Sequence, residues 1–428
     1  MATFYVTDTD NNSVFSLQNA INQANILDGD DTIDFSLVSG TITLESLLPK
    51  ITSNIAFVGN GDDTISGDNQ YRVFWVESGI VSFSNLNITN GYAKGGNGGF
   101  RSGGGGAGLG GGLFINDATV TIDAVSFSGN QAIGGNGGSG GKSKNDEIGF
   151  GGGGGGMGSD GSDQIPGFGS FDRGKGNGGG DGYINSGGSG NARLVYIRPD
   201  GSIGDYSEFR VGSGKLTFID ESSGGFGGGG RGGNGSFGNG GFGGGGGGTG
   251  GGKFGRGGFG GGGGGGRVDG SSGGSFGGNG GKGNSFDAIV GFEATINEYF
   301  GGGGGGAGLG GGIFVNAGNL KLTNTSFKNN SALGGVGGTG DSTATSGSNG
   351  QGKGGAIFIN AINSPLVTVD NTVSNLLVFE NDIVVQGTSQ LSSNSPDMMK
   401  TDIITQADNM PTLSGVNTIA LASNPLFI

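Results

Sequence analysis

The sequence predicts an all-β solenoid: a parallel β-helix with an N-terminal capping helix, and glycine-rich insertions packed as a bundle of polyglycine helices of the polyproline-II type. Three observations point there. Short strand-like runs follow one another from residue 31 to 93 with no helix between them. Residues 103–138 align without a gap with 303–338, so that "GGGGAGLGGGLFIN" returns as "GGGGAGLGGGIFVN". Glycine supplies 113 of 428 residues, and its tracts stop just before an apolar triplet.

Residues 1–93 read as the cap and the first coils. "FYVT" alternates as a strand should, and "TDTDNNS" is a turn. "SVFSLQNAINQAN" sets Phe15, Leu17, Ala20, Ile21 and Ala24 at helical spacing behind Ser13 as N-cap. Such a helix needs a surface to cover, and the open end of a strand stack offers one. "DTIDF", "GTITL", "IAFVG", "DTISG", "YRVFWV" and "IVSFSNLNITN" follow as short strands and tight turns. Residues 94–138 make the first repeat coil with its glycine tracts, 139–302 a glycine-rich insert with a small β element, 303–385 the C-terminal coils, and 386–428 a tail or last coil. A third, weaker copy of the repeat begins at Gly354, "GGAIFIN".

Without its tract each unit is roughly two dozen residues, which suits one β-helix coil. Coils stack at the strand spacing of about 4.8 Å, and inward Val, Ile, Leu and Phe fill the interior. Equivalent positions then form columns. Phe114, Phe314 and Phe358 make one, and Phe127 and Phe327 another. Asn116, Asn316 and Asn360 make an asparagine ladder, with Asn130 and Asn330 as a second, each side chain reaching the backbone of the next coil.

"GGAI" at 354–357, with "FSGN" at 127–130 and "FKNN" at 327–330, resembles the GGAI and FxxN repeats of polymorphic outer-membrane proteins. The run "SLQNAINQAN…DTIDF…GTITL…NIAFVGNGDDTISGD…RVFWV" is similar to the opening of large bacterial surface proteins with a pectin-lyase-like β-helix. The likeness covers 1–135 and 303–385 and implies a right-handed parallel β-helix displayed outside the cell, often adhesive.

Glycine tracts occupy about 94–112, 134–190, 224–312 and 334–355. They leave after "NQA" or "NSA" and return before "LFIN", "IFVN" and "AIFIN", so all should share one side of the stack. A lone tract would be a flexible linker, because ordering it costs about 1–2 kcal/mol per residue. Side by side, the tracts can pair N–H with C=O between helices. "FGNGGFGGGGGG" at Phe237 recurs as "FGRGGFGGGGGG" at Phe254, and fixed Phe spacing argues for order, with Phe226, Phe242 and Phe259 as anchors at the bundle's rim. "ARLVYIRPDGSIGDYSEFRVGSGKLTFID" reads as strands about a Pro199-Asp200-Gly201 turn. Such tracts beside such strands are similar to the glycine-rich domain of anaplastic lymphoma kinase, which implies a rigid packed array of glycine helices.

Chemistry-bearing patterns are sparse. The chain has no His and no Cys, which removes the commonest general base, thiolate chemistry and disulfides. A formal charge of −14 disfavours nucleic acid and anionic membranes as partners, and no apolar run is long enough to insert in a bilayer. "DTDNNS" resembles the start of an EF-hand loop, but Ser13 and Asn19 stand where Gly and Glu belong. "GNGDDTISGD" resembles a calcium nonapeptide but occurs once. Asp8, Asp10, Asp62 and Asp63 are therefore the weak Ca²⁺ candidates, and solvated turns explain them better. "GRGGFGGG" resembles an RNA-binding segment, but the tracts hold few Arg and the chain is acidic, and no Gly-Lys-Ser/Thr follows a strand in the pattern a phosphate loop requires, so neither reading has support. Asp117, Asp123 and Asp370 do not repeat in register as a lyase or glycosidase site would require.

The expectation is no enzyme and no cofactor. It is a structural subunit of an extracellular bacterial filament, sheath or surface layer that associates with itself. An adhesin binding cell-surface polysaccharide and a polysaccharide lyase or tailspike-like enzyme are the alternatives, with ice binding a remote one. "MATFYV" as a donated strand, "TIALASNPLFI" as a coil strand, or side-by-side glycine layers would join the subunits. "MATFYVTDTD" has no signal-peptide character, so export without a cleaved N-terminal signal is expected.

Overall fold

A computed structural model describes residues 1–10, 13–38, 40–144, 152–161, 193–197, 203–204, 215–219, 224, 226–230, 238–248, 255–266, 269–290, 293–360, 366–369, 378–380, 383–386, 389–391, 403–405 and 420–421. Within them the chain is nearly all β, with one helix and extensive parallel sheet.

The first sheet runs through Thr3–Tyr5, Asp30–Asp34, Asn54–Val58, Ile80–Ser84, Leu113–Asp123, Ile313–Thr323, Ile357–Ile359 and Ile403–Thr405. Phe74–Val76 and Leu366–Val369 join its two longest strands. A second sheet stacks Thr41–Thr43, Thr64–Ser66, Asn87–Thr89, Ser126–Ser128, Ser326–Lys328, Val378–Glu380 and Ala420–Leu421. A third pairs Tyr92–Lys94, Gln131–Ile133, Ser331–Leu333 and Ile383–Gln386 in parallel. A short fourth sheet pairs Gly108–Leu109, Gly308–Leu309 and Gly352–Lys353. The chain visits first, second, third and fourth sheets in that order three times, with glycine tracts always between third and fourth. The offset of 200 residues in the repeat is the strand register itself: Leu113 pairs with Ile313, Phe127 with Phe327 and Ala132 with Ala332.

Period-two alternation sets what is inside. Ile55, Val81, Val120 and Leu320 form one buried row of the first sheet, and Phe57, Phe83, Ile122 and Leu322 the next. From the second sheet Ile65, Ile88, Phe127 and Phe327 enter the same core. Corners between sheets fall on residues in the left-handed region: Asn85, Ala124 and Asn324 at one corner, and Asn90, Gly129 and Asn329 at the next. Asn tolerates that conformation better than other side chains, which accounts for its recurrence there.

The helix spans Leu17–Ile26 and buries Leu17, Ala20, Ile21 and Ala24 against the first strands. Two sequence expectations change. Ser16, not Ser13, is the N-cap, and its side chain accepts from the Asn19 N–H. Phe15 therefore falls outside the helix and is exposed. "MATFYV" is not free for donation, because Thr3–Tyr5 pairs with Asp30–Asp34 of its own chain. In the insert, Arg193–Ile197 pairs antiparallel with Ile203–Gly204 and Lys215–Ile219. The Pro199-Asp200-Gly201 turn, Phe237, Phe254, Asp370 and all of "TIALASNPLFI" except Ala420–Leu421 lie outside the described residues. Among the described residues no helix is long and apolar enough to cross a membrane.

Candidate functional site

The repeat brings its equivalent positions together in three adjoining arrays: asparagine ladders, a double aromatic row, and the glycine tracts.

Asn360 Nδ2 donates to Asn316 Oδ1 at 2.9 Å, Asn316 Nδ2 to Asn116 Oδ1 at 3.0 Å, and Asn116 Nδ2 to Glu77 Oε1 at 2.9 Å. This ladder runs side chain to side chain rather than to backbone as expected, because each amide carries both a donor and an acceptor and can pass the bond on. It ends on a carboxylate whose other oxygen takes Trp75 Nε1 at 2.7 Å and Lys50 Nζ at 3.3 Å. The second ladder is buried and does reach backbone. Asn330 Oδ1 accepts from the Asn130 backbone N–H and Nδ2, Asn330 Nδ2 donates to Phe127 O, and Asn130 Nδ2 to Ile88 O. A buried amide left without partners costs about 1–3 kcal/mol, so these contacts fix strand register.

Phe127 and Phe327 stack inside the core at 5.2 Å. Phe114, Phe314 and Phe358 do not fill that interior. They sit between inward residues Leu113 and Ile115, Ile313 and Val315, and Ile357 and Ile359, so alternation turns them to the opposite face. There Trp75, Phe114, Phe314 and Phe358 form a column, with centroids 5.3 Å apart from Phe114 to Phe314 and 5.5 Å from Phe314 to Phe358. Phe226, Phe242 and Phe259 form a parallel column at 4.8 and 5.0 Å and meet the first edge-on, as Phe226 does Trp75 and Phe242 does Phe314. These anchors therefore lie at the seam with the sheet rather than only at a rim. Gly227, Gly243 and Gly260, with φ of 75, 76 and 74°, turn the chain directly after each ring. Gly110, Gly310 and Gly354 do the same where tracts rejoin strands.

Arg72 is buried beside this seam. Its Nε donates to Gly110 O and its Nη2 to Leu109 O, while its guanidinium lies 4.9 Å from the Trp75 ring centroid. Sequence reasoning missed Arg72, Trp75 and Glu77. The signal was there: "FWVE" at 74–77 stands in register with "LFIN", "IFVN" and "IFIN".

The tracts bond almost wholly through backbone. In the segment Gly104-Gly105-Gly106 the three N–H groups donate to Gly246, Gly304 and Gly96. Its three carbonyls accept from Gly155, Gly262 and Gly135. Three consecutive residues thus bond six different residues, drawn from three of the four tracts. The same six-neighbour pattern holds about Gly244–246, Gly261–263 and Gly302–306. A Cβ on Gly104, Gly105 or Gly106 would overlap a neighbouring carbonyl oxygen, so no other residue fits. At the periphery side chains return and do the bonding. Asn97 Oδ1 accepts from Asn136 N–H and Asn136 Oδ1 from Val336 N–H, each at 2.9 Å; Ser348 and Thr345 hydroxyls accept from Asn279 and Lys282 N–H.

The calcium candidates sit in turns. Asp8 Oδ1 accepts from Asp10 N–H at 3.0 Å, and that bond, with the Ser13 hydroxyl, holds the Asp8 carboxyl below its ordinary pKa. Asp63 Oδ2 accepts from Asn60 N–H at 2.8 Å, and Asp62 donates its N–H to Asn60 Oδ1. Among the described residues no three acidic side chains converge. Comparison of the chain with protein-family models, with curated proteins and with solved structures returns no match.

Proposed function

We propose that this chain is a structural protein, a stiff subunit of an extracellular filament, sheath or surface layer. Its strands wind as a right-handed parallel β-helix, and its glycine tracts pack beside them as a polyglycine-II bundle. The six-neighbour bonding of the tracts carries this reading. A polyproline-II helix has three residues per turn, so successive residues point about 120° apart and each can serve a different neighbour. The two lattices have similar layer spacings, since the rings of the tract column repeat at 4.8 and 5.0 Å and those of the sheet column at 5.3 and 5.5 Å.

Magnitudes explain why the tracts need the strands. Ordering a residue costs about 1–2 kcal/mol and a hydrogen bond returns about 0.5–1.5, so a tract with one bond per residue is near balance. Burying seam rings, worth about 1.5–3 kcal/mol each when fully covered, tips it toward order. The product is stiffness with little side-chain mass, which suits a load-bearing material better than a ligand site. Electron microscopy of concentrated protein, with and without divalent cations, tests the proposal. Ordered fibres or sheets are expected, and monodisperse monomers in both conditions would contradict it.

A further inference from the structure

The sequence holds nine Asn–Gly pairs, of which seven lie in the described residues: Asn60–Gly61, Asn90–Gly91, Asn97–Gly98, Asn136–Gly137, Asn239–Gly240, Asn279–Gly280 and Asn349–Gly350. Asn–Gly is chemically the weakest link for an asparagine. The glycine nitrogen, stripped of its proton by hydroxide, attacks the Asn Cγ. The carbon–nitrogen bond of the side-chain amide breaks and ammonia leaves with a proton from water. The resulting succinimide takes up one water and opens to aspartate or isoaspartate. The attack needs a glycine N–H that is free and a side chain that can swing over it.

At all seven pairs the attacking nitrogen is engaged elsewhere. Gly61 donates to Asn85 O, Gly91 to Asn130 Oδ1, Gly98 to Asn136 O, Gly137 to Val336 O, Gly240 to Arg256 O, Gly280 to Ser271 O and Gly350 to Gly335 O, at 2.8–2.9 Å. In the five tract pairs the side chain under attack is engaged as well. Asn97, Asn136, Asn239, Asn279 and Asn349 each use Oδ1 to accept a backbone N–H from another segment, of Asn136, Val336, Arg256, Gly273 and Gly337.

We infer that these five tract asparagines are latent modification sites, silent while the glycine lattice is closed and converted to aspartate and isoaspartate when it opens. The conversion is one-way. Isoaspartate adds a methylene to the backbone and so breaks the three-residue bonding period, while either product puts a carboxylate where an amide accepted an N–H. A modified tract cannot rejoin the lattice in register. The chain thus carries a chemical record of every lasting opening, independent of whether it builds a filament.

The test is peptide mass spectrometry of the intact chain held at mildly alkaline pH, alongside the same chain in guanidinium. In the native chain all seven pairs should gain isoaspartate about a hundredfold more slowly than in denaturant, because modification then waits on local opening. In Gly105→Val, which forces a side chain into the lattice, the five tract pairs should accelerate while Asn60 and Asn90, at strand corners, stay slow. If the variant does not fold, the native-against-denatured comparison stands alone. Native rates at the five pairs close to the denatured ones would overturn the inference.

Discussion

The strand stack and the glycine lattice solve one problem in opposite ways. Both are ordered backbone held by hydrogen bonds between layers of similar spacing. A strand residue in the stack bonds only the strands on either side, and its side chains fill the interior and set the register, as Phe127 over Phe327 and Asn130 over Asn330 do. A residue triplet in the lattice bonds six neighbours and has no side chain at all, as at Gly104-Gly105-Gly106. The difference teaches that removing Cβ changes the dimensionality of backbone pairing. A strand pairs in a plane, whereas the bare backbone at Gly104-Gly105-Gly106 pairs all round.

The sharpest way to break that comparison is to put a side chain at the lattice centre. Gly105→Val should cost upward of about 4 kcal/mol, because its Cβ overlaps the Gly135 carbonyl, while Asn136→Ala at the periphery should cost about 1. Urea titration followed by near-ultraviolet signals of the seam would read both. Next comes the seam. Phe314→Ala should cost about 3 kcal/mol and should loosen the tracts more than the strands, whereas Phe327→Ala, of similar cost, should loosen the strands first. Hydrogen exchange by region separates the two.

How much of this was legible depended on which force positions each residue. The strand runs, the helix and the 200-residue repeat could be read because apolar periodicity is written in side chains. The positions of Asn116, Asn316 and Asn360 in one column followed from the alignment, but their side-chain-to-side-chain bonding did not, since an amide can turn to either partner. Phe114 was read as interior because a triplet such as Leu113-Phe114-Ile115 is apolar throughout. Only the second layer on its outer face explains that. Ser16 displaced Ser13 as cap because both are serines before the same apolar run. Glu77 and Arg72 were missed because each occurs once, where a repeat search sees noise. The sequence predicts packed glycine tracts but not which tract residue bonds which. A run of glycine specifies no neighbour until the edges, at Asn97, Asn136 and Ser348, show where it stops.

Smaller effects refine the picture. Asn330→Ala should cost about 2 kcal/mol by taking the Oδ1 acceptor from the buried Asn130 backbone N–H and the Nδ2 donor from Phe127 O, detectable as a lower melting temperature. The smallest effect lies at Asp8. Its folded pKa is depressed, so the turn gains stability above the ordinary carboxylate pKa of about 3.9 and loses it as pH falls through the lower folded value. The Asp10 amide resonance should shift over that acidic window, and Asp8→Asn should abolish the shift.

The most direct measurement is amide hydrogen exchange on peptides covering Gly104–106 and Gly302–306, read beside Leu113–Ile115 and Ile313–Val315 in the same sample. Protection of the glycine peptides comparable to that of the strands is the expected result. Exchange of those glycine amides at the rate of an unstructured peptide, while the strands remain protected, would contradict the lattice.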